Sequence, residues 1–124
     1  ELAAKLGKAI AQDGIVARLK ETQAKYEANT ELQQAILEYN TQRAALEEAY
    51  KTPERDDEVV EAITQRIQSL YNRIVEDADY AGFVAAKEEM DRLLSDVNSE
   101  IAFQVFGERP CSHNCGSCGG GCSH

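Results

Sequence analysis

Apolar residues recur at intervals of three and four through most of the first 106 residues of this 124-residue chain. This spacing places them on one stripe of an α-helix, because a helix turns once every 3.6 residues. Helix-favouring residues dominate the same region, and Gly and Pro are scarce there. The predicted stripes are Leu2, Leu6 and Ile10; Ile15 or Val16, Leu19, Gln23 and Tyr26; Leu32, Ile36, Tyr39, Arg43, Leu46 and Tyr50; Val59 or Val60, Ile63, Ile67, Leu70 and Ile74; and Phe83, Lys87, Met90, Leu94, Val97, Ile101 and Val105.

Capping residues predict where these helices begin and end. A helix over Gly14 that continues from the first stripe is the alternative to a break at that point. Gly107 and Pro110 are expected to end the last helix, since Gly tolerates a left-handed cap and Pro cannot continue a helix. The predicted N-terminal caps are Asp13, Thr30 (with Gln33 in a capping box), Thr52 (before Pro53) and Asp77.

Stripes with a spacing near 3.5 residues are typical of coiled-coil-like packing. The short connection around Pro53 makes its two neighbouring helices antiparallel. We therefore predict an all-α fold, in which residues 1–106 form an elongated antiparallel helical hairpin or bundle. Residues 107–124 are predicted to form a separate, flexible tail rich in Gly and Cys.

The net charge of the chain limits the classes of molecule that it is expected to bind. Twenty-two acidic against thirteen basic residues give a formal charge of −9, which disfavours direct binding to nucleic acid. No run approaches the roughly 20 apolar residues of a membrane span, and no signal segment is evident, so we expect a cytoplasmic protein. A core of this modest size favours a homo- or hetero-oligomer.

The chemistry of the chain is concentrated in its last fourteen residues. All four cysteines, Cys111, Cys115, Cys118 and Cys122, lie there with the spacing C-x3-C-x2-C-x3-C. This spacing differs by one residue in its first gap from an iron–sulfur run, and it also suits zinc. The spacing therefore resembles a cluster loop more than a zinc ribbon, and free thiols, or a cluster shared with a partner chain, are the remaining alternatives. Both histidines of the chain also lie in this tail and are possible accessory ligands: His113 and His124.

The remaining residues indicate structure rather than catalysis. The helices hold no histidine, which excludes a di-iron site of the ferritin type, and no catalytic triad can be assembled. The five tyrosines, at helical spacing, are interpreted as packing residues with a polar tip. We therefore expect no enzymatic activity.

The chain resembles the YlbF/YmcA family over its whole length. The motifs are the N-terminal Leu-Ala-x-x-Leu-Gly-x-x-Ile helix, the Asn29-Thr-Glu-Leu-Gln opening, the Pro53 turn and the Phe83–Ile101 stretch. The Cys- and Gly-rich terminus is similar to that of the YlbF branch.

This resemblance implies a small all-α regulator of competence, biofilm formation and sporulation without enzymatic activity of its own. It further implies a complex with YmcA-like and YaaT-like partners that associates with ribonuclease Y in mRNA maturation and carries 4Fe–4S clusters. Carried over by residue, Cys111, Cys115, Cys118 and Cys122 would be the cluster ligands. A zinc-binding module, or a helical dimerisation protein of unknown role, remains the alternative.

Overall fold

The computed structural model describes residues 1–108, and these residues form five α-helices and no strand. The helices are α1 (Leu2–Ala11), α2 (Gly14–Ala28), α3 (Thr30–Lys51), α4 (Asp57–Glu76) and α5 (Ala78–Phe106). The described part of the chain divides into two compact units, one ending at Met90 and the other beginning at Asp91. The predicted all-α fold is confirmed.

Two of the predicted caps act as expected. The Asp13 carboxylate accepts a hydrogen bond from the Ile15 backbone N–H at 2.9 Å and starts α2 after a true break in the helix. The Asp77 carboxylate accepts from the backbone N–H groups of Asp79 and Tyr80 at 2.9 and 3.2 Å and starts α5. Each carboxylate satisfies N–H groups that have no partner within the helix.

Helix α3 is capped one residue earlier than predicted. The Asn29 side chain, not that of Thr30, accepts from the Leu32 N–H at 3.0 Å. The Gln33 side chain donates instead to the Tyr26 carbonyl at 2.8 Å, so the predicted capping box does not form. Asn29 is the better cap here because its amide group also binds two residues at the start of another helix, as described below.

Helix α4 also begins later than predicted. Asp56 is its cap, accepting from the backbone N–H groups of Glu58 and Val59 at 3.0 and 3.3 Å. The Thr52 hydroxyl donates back to the Glu48 carbonyl at 3.1 Å, so Thr52 closes α3 rather than opening α4. A carboxylate that satisfies two N–H groups at the positive end of a helix is a stronger cap than a hydroxyl.

Helices α3 and α4 form an antiparallel hairpin. Glu31 pairs with Arg73, and Glu38 pairs with Arg66, so residue numbers rise along α3 as they fall along α4. The Tyr39 and Tyr71 rings, 6.5 Å apart between centroids, pack across the same pair of helices.

Helix α2, which precedes α3, packs antiparallel to the first part of α5, which follows α4. Arg18 forms an ion pair with Glu89, and the Tyr26 and Phe83 rings pack with centroids 4.8 Å apart. Gly82 belongs to this contact, since a Cβ atom there would lie 3.8 Å from the Thr22 methyl group.

The junction between α2 and α3 lies beside the junction between α4 and α5. The Asn29 amide group donates to the Asp79 carboxylate at 2.9 Å and to the Asp77 carboxylate at 3.3 Å. One side chain therefore caps α3 and also binds the start of α5. These hydrogen bonds hold the α2–α3 junction next to the α4–α5 junction.

The core is small and lies where α2, α3, α4 and the start of α5 meet. Leu32, Ala35, Leu70 and Ile74 form the buried cluster, and Leu70 is the most deeply buried of them, with 2% of its surface exposed. At five positions along the stripes the predicted residue is exposed, and a more buried residue stands one position before it. The more buried residues are Thr22, Gln42, Ala49, Ala86 and Leu93, in place of Gln23, Arg43, Tyr50, Lys87 and Leu94.

The shift has a simple cause. A seam of period 3.5 alternates steps of three and four, and starting with the other step moves every second member by one residue. In α3 and at Ala86, the choice places a small or uncharged residue at the closest approach and leaves a long or charged one at the edge.

Candidate functional site

The predicted ligand residues Cys111, Cys115, Cys118 and Cys122 lie outside the described residues, as do His113 and His124. What the structure gives is the end of the helix before them. Gly107 adopts φ of +74°, and its N–H donates to the Phe103 carbonyl at 2.8 Å. This left-handed conformation is accessible to Gly without a steric penalty, and it ends α5 shortly before the first cysteine.

Within residues 1–108, no group of three or more His, Cys, Asp and Glu side chains could hold a metal ion. In the same part of the chain, none of the helices combines the length and the apolar character needed to cross a bilayer.

The structure brings four tyrosines together in one cleft of about 230 Å³ beside the buried cluster. They come from four different helices: Tyr26 from the end of α2, Tyr39 from α3, Tyr71 from α4 and Tyr80 from the first turn of α5. We call this the tyrosine cleft. Its complete lining is Tyr26, Ile36, Tyr39, Asn40, Tyr71, Ile74, Val75 and Tyr80.

A shallow groove of about 550 Å³ lies next to the tyrosine cleft along α3. Asn40 lines both, and the fifth tyrosine of the chain, Tyr50, lines the groove. The cleft and the groove together form a surface that we call the tyrosine edge. The groove is lined by Asn40, Arg43, Ala44, Leu46, Glu47 and Tyr50.

Helical spacing explains why these residues share one edge. Residues 36, 40, 43, 47 and 50 follow one another in steps of four and three, so they form a second stripe beside the buried one. Tyr50 is 57% exposed and Tyr71 is 49% exposed, which makes them surface residues rather than core residues. Tyr26, Tyr39 and Tyr71 nevertheless pack against other rings, as interpreted from the sequence, and Tyr50 is the most exposed of the five tyrosines.

The opposite edge of the α3–α4 hairpin is ionic. The Arg66 guanidinium donates two hydrogen bonds to the Glu38 carboxylate, at 2.6 and 2.7 Å, and Arg73 lies 3.7 Å from Glu31. The hydrogen bond from Arg66 lowers the pKa of Glu38, and the same bond raises the pKa of Arg66. One edge is thus closed by ion pairs and the other is lined by aromatic side chains.

Charged side chains stand at both ends of the tyrosine edge, and at the α3–α4 connection Arg55 is ion-paired with Asp57 at 2.9 Å. At the end near the α3–α4 connection, the Arg55 guanidinium lies 5.3 Å from the centre of the Tyr50 ring. At the other end, Asp77 and Asp79 stand at the start of α5, directly before Tyr80 in the cleft. Tyr and Arg, together with Trp, are enriched at energetically dominant positions of protein interfaces.

The fold defines a small all-α protein, and its described residues carry an exposed edge lined by tyrosines. The chain belongs to the family described as "Control of competence regulator ComK, YlbF/YmcA", whose model matches residues 1–105. The match takes in α1 to α4 and all but the last residue of α5, and it confirms the resemblance drawn from the sequence motifs. No curated protein and no solved structure matches the chain.

Proposed function

We propose that this chain is a non-enzymatic regulatory subunit that acts in the cytoplasm by binding protein partners. One observation carries the proposal: a family model described by its control of a competence regulator covers residues 1–105. The tyrosine edge supports it, because exposed Tyr and Arg side chains beside an open cleft are suited to protein contacts.

The partners proposed from the family resemblance are YmcA-like and YaaT-like subunits, and through them ribonuclease Y. The acidic charge of −9 supports contacts to proteins rather than to RNA, whose phosphates it repels. RNA would then be reached through the partner enzyme.

The C-terminal cysteines are proposed to bind a 4Fe–4S cluster. The support is the chemistry of the donors: four thiols within twelve residues, separated by six glycine or serine residues and few bulky ones, are typical ligands of such a cluster. A bound cluster would supply a redox-sensitive centre next to the end of α5, and its loss would change how the tail is held.

Anaerobic purification with analysis of iron, sulfide and zinc tests the cluster. We expect a coloured protein with matching iron and sulfide, and we expect the double variant Cys115→Ser, Cys118→Ser to be colourless with unchanged helicity. Ser117→Ala, which lies between these two cysteines, is the matched control and should keep the colour. A colourless wild-type protein with one zinc per chain would instead favour the zinc-binding module.

Titration calorimetry of the full chain against a YmcA-like subunit tests the regulatory role. We expect a stable complex and weaker binding by the cysteine double variant than by Ser117→Ala. Absence of binding with the cluster present would refute the role as a subunit, whatever metal the cysteines hold.

A further inference from the structure

We infer that the tyrosine cleft binds a small organic cation, a free molecule that carries a trimethylammonium group. The cleft lies among residues 26–80, within the first of the two compact units. Binding there depends neither on a metal in the tail nor on the proposed protein partners.

The cleft presents aromatic rings at a separation that suits one cation. The centroids of the Tyr39 and Tyr71 rings lie 6.5 Å apart, and the ring planes are tilted by 38°. A cation between the two rings can lie within about 6 Å of both centroids, the range over which the face of a ring attracts a positive charge. Tyr26 and Tyr80 complete the aromatic lining from two other helices.

One of these rings already has a cation beside it. The Arg43 guanidinium lies 5.8 Å from the centroid of the Tyr39 ring. Arg43 lines the neighbouring groove and is not part of the lining of the cleft. The cleft therefore combines rings that attract positive charge with a lining that contains neither Lys nor Arg.

The lining also selects the kind of cation. It contains no charged side chain, and its one amide group belongs to Asn40. A strongly hydrated ion would lose water here without a carboxylate to replace it. A quaternary ammonium group has no N–H donor to satisfy, and proteins bind it in cages of aromatic rings.

The size of the cleft fits this group. A cavity of about 150 Å³ holds benzene, which is similar in size to a trimethylammonium group. The cleft measures about 230 Å³. It therefore admits the cationic head and leaves a polar substituent of the same molecule in solvent.

The charge around the cleft favours a cation over an anion. The chain carries a formal charge of −9. Asp77 and Asp79 stand directly before Tyr80, and both accept hydrogen bonds from the neutral Asn29 amide, which leaves their negative charge in place. A cation that approaches the cleft is therefore attracted before it contacts the rings.

Choline and its neutral isostere 3,3-dimethylbutan-1-ol test the role of the charge. The two molecules have the same shape, but a carbon atom of the alcohol replaces the nitrogen of choline. Each is titrated into the full chain at constant ionic strength and followed by NMR and tyrosine emission. We expect a dissociation constant for choline on the order of 1 mM, at least about tenfold lower than for the alcohol.

Substitutions of exposed tyrosines test the location. Tyr71→Leu should weaken choline binding at least about fivefold, whereas Tyr71→Phe, which keeps the ring, should bind within about twofold of wild type. Tyr71 is 49% exposed, so neither change opens a cavity in the core. Tyr50→Leu is the matched control, because Tyr50 lines the groove and not the cleft, and it should leave binding unchanged.

A single position tests the sign of the charge. Val75 lines the cleft and is 37% exposed, so a longer side chain can be accommodated there. Val75→Lys should abolish choline binding, because its ammonium group repels the ligand. Val75→Glu should strengthen binding about threefold or more, since its carboxylate attracts the ligand. Circular dichroism of each variant checks that the helices are intact.

Three results would overturn the inference. They are the absence of saturable choline binding, equal affinity for choline and the alcohol, and equal losses in Tyr71→Leu and Tyr50→Leu. A peptide with a trimethylated lysine that binds where choline does not would also overturn it, because the occupant would then be a protein segment.

Discussion

Replacing Asn29 by Ala removes the side chain that joins the α2–α3 junction to the α4–α5 junction. The Asn29 carbonyl oxygen caps α3 through the Leu32 N–H, and its amide group donates to Asp79 and Asp77 at 2.9 and 3.3 Å. All three hydrogen bonds are partly shielded from solvent, and the two to carboxylates span 50 and 48 residues of sequence.

The expected loss is the sum of two terms. Removing an N-cap side chain costs about 1 kcal/mol of stability. A hydrogen bond to a charged acceptor contributes about 1.5–3 kcal/mol, of which we take the lower end because Asn29 and its acceptors are only partly buried. The long bond to Asp77 is given no weight. Together, Asn29→Ala should lower the free energy of unfolding by about 2.5 kcal/mol and the melting temperature by about 10 °C.

Urea and thermal unfolding followed by circular dichroism measure this effect. The matched control is Asp13→Ala, which removes a cap whose hydrogen bond lies within the first turn of its own helix. It should cost about 1 kcal/mol or less. Equal losses for the two variants would refute the reasoning, because the bonds from Asn29 to the start of α5 would then contribute nothing.

Asn29→Asp separates the two functions of the side chain. The variant keeps a cap acceptor but places a third carboxylate beside Asp77 and Asp79. In the folded protein the pKa of the introduced carboxyl is raised above its unfolded value, so its destabilising effect is complete at neutral pH. The effect should disappear as the pH falls below the unfolded value of about 4. A difference from wild type that does not change with pH would contradict the placement of these carboxylates.

Three further outcomes are expected. Leu70→Ala should lower the free energy of unfolding by about 2–5 kcal/mol, because it leaves a cavity in the small core, whereas exposed Leu37→Ala should change it little in the same urea titration. Glu38→Gln should be less sensitive to acid than wild type: the pKa of Glu38 is lowered by Arg66, so the stability from this pair is present above the unfolded pKa and lost as the pH falls through the lower folded one. Gly107→Ala should shorten α5, because φ of +74° costs a residue with a Cβ about 1–2 kcal/mol, and amide exchange of the last turn of α5 would detect the loss.

The sequence predicts helices well because their signals are local. The caps Asp13 and Asp77 and the break before Gly14 all depend on residues within one helical turn. The choice of Asn29 over Thr30 is different, because both are good caps and the decision depends on Asp77 and Asp79 nearly fifty residues away.

The position of the seam within each stripe is also undetermined by the sequence. Gln42 and Arg43 suit the same heptad almost equally, and the packing of α4 against α3 selects the shorter, uncharged side chain. The tyrosine edge follows from this selection, because moving the seam by one residue turns Tyr50 outward. The second stripe on α3, at residues 36, 40, 43, 47 and 50, was the sequence signal that could have indicated the tyrosine edge.

The placement of the tyrosines gives the protein a natural optical reporter. The chain has no tryptophan, so its five tyrosines are its only strong fluorophores, and all five line the tyrosine edge. Any molecule that covers this edge changes the solvent contact of these rings. Tyrosine emission of the unlabelled protein therefore responds to occupancy of this surface, and binding can be followed without attaching a dye.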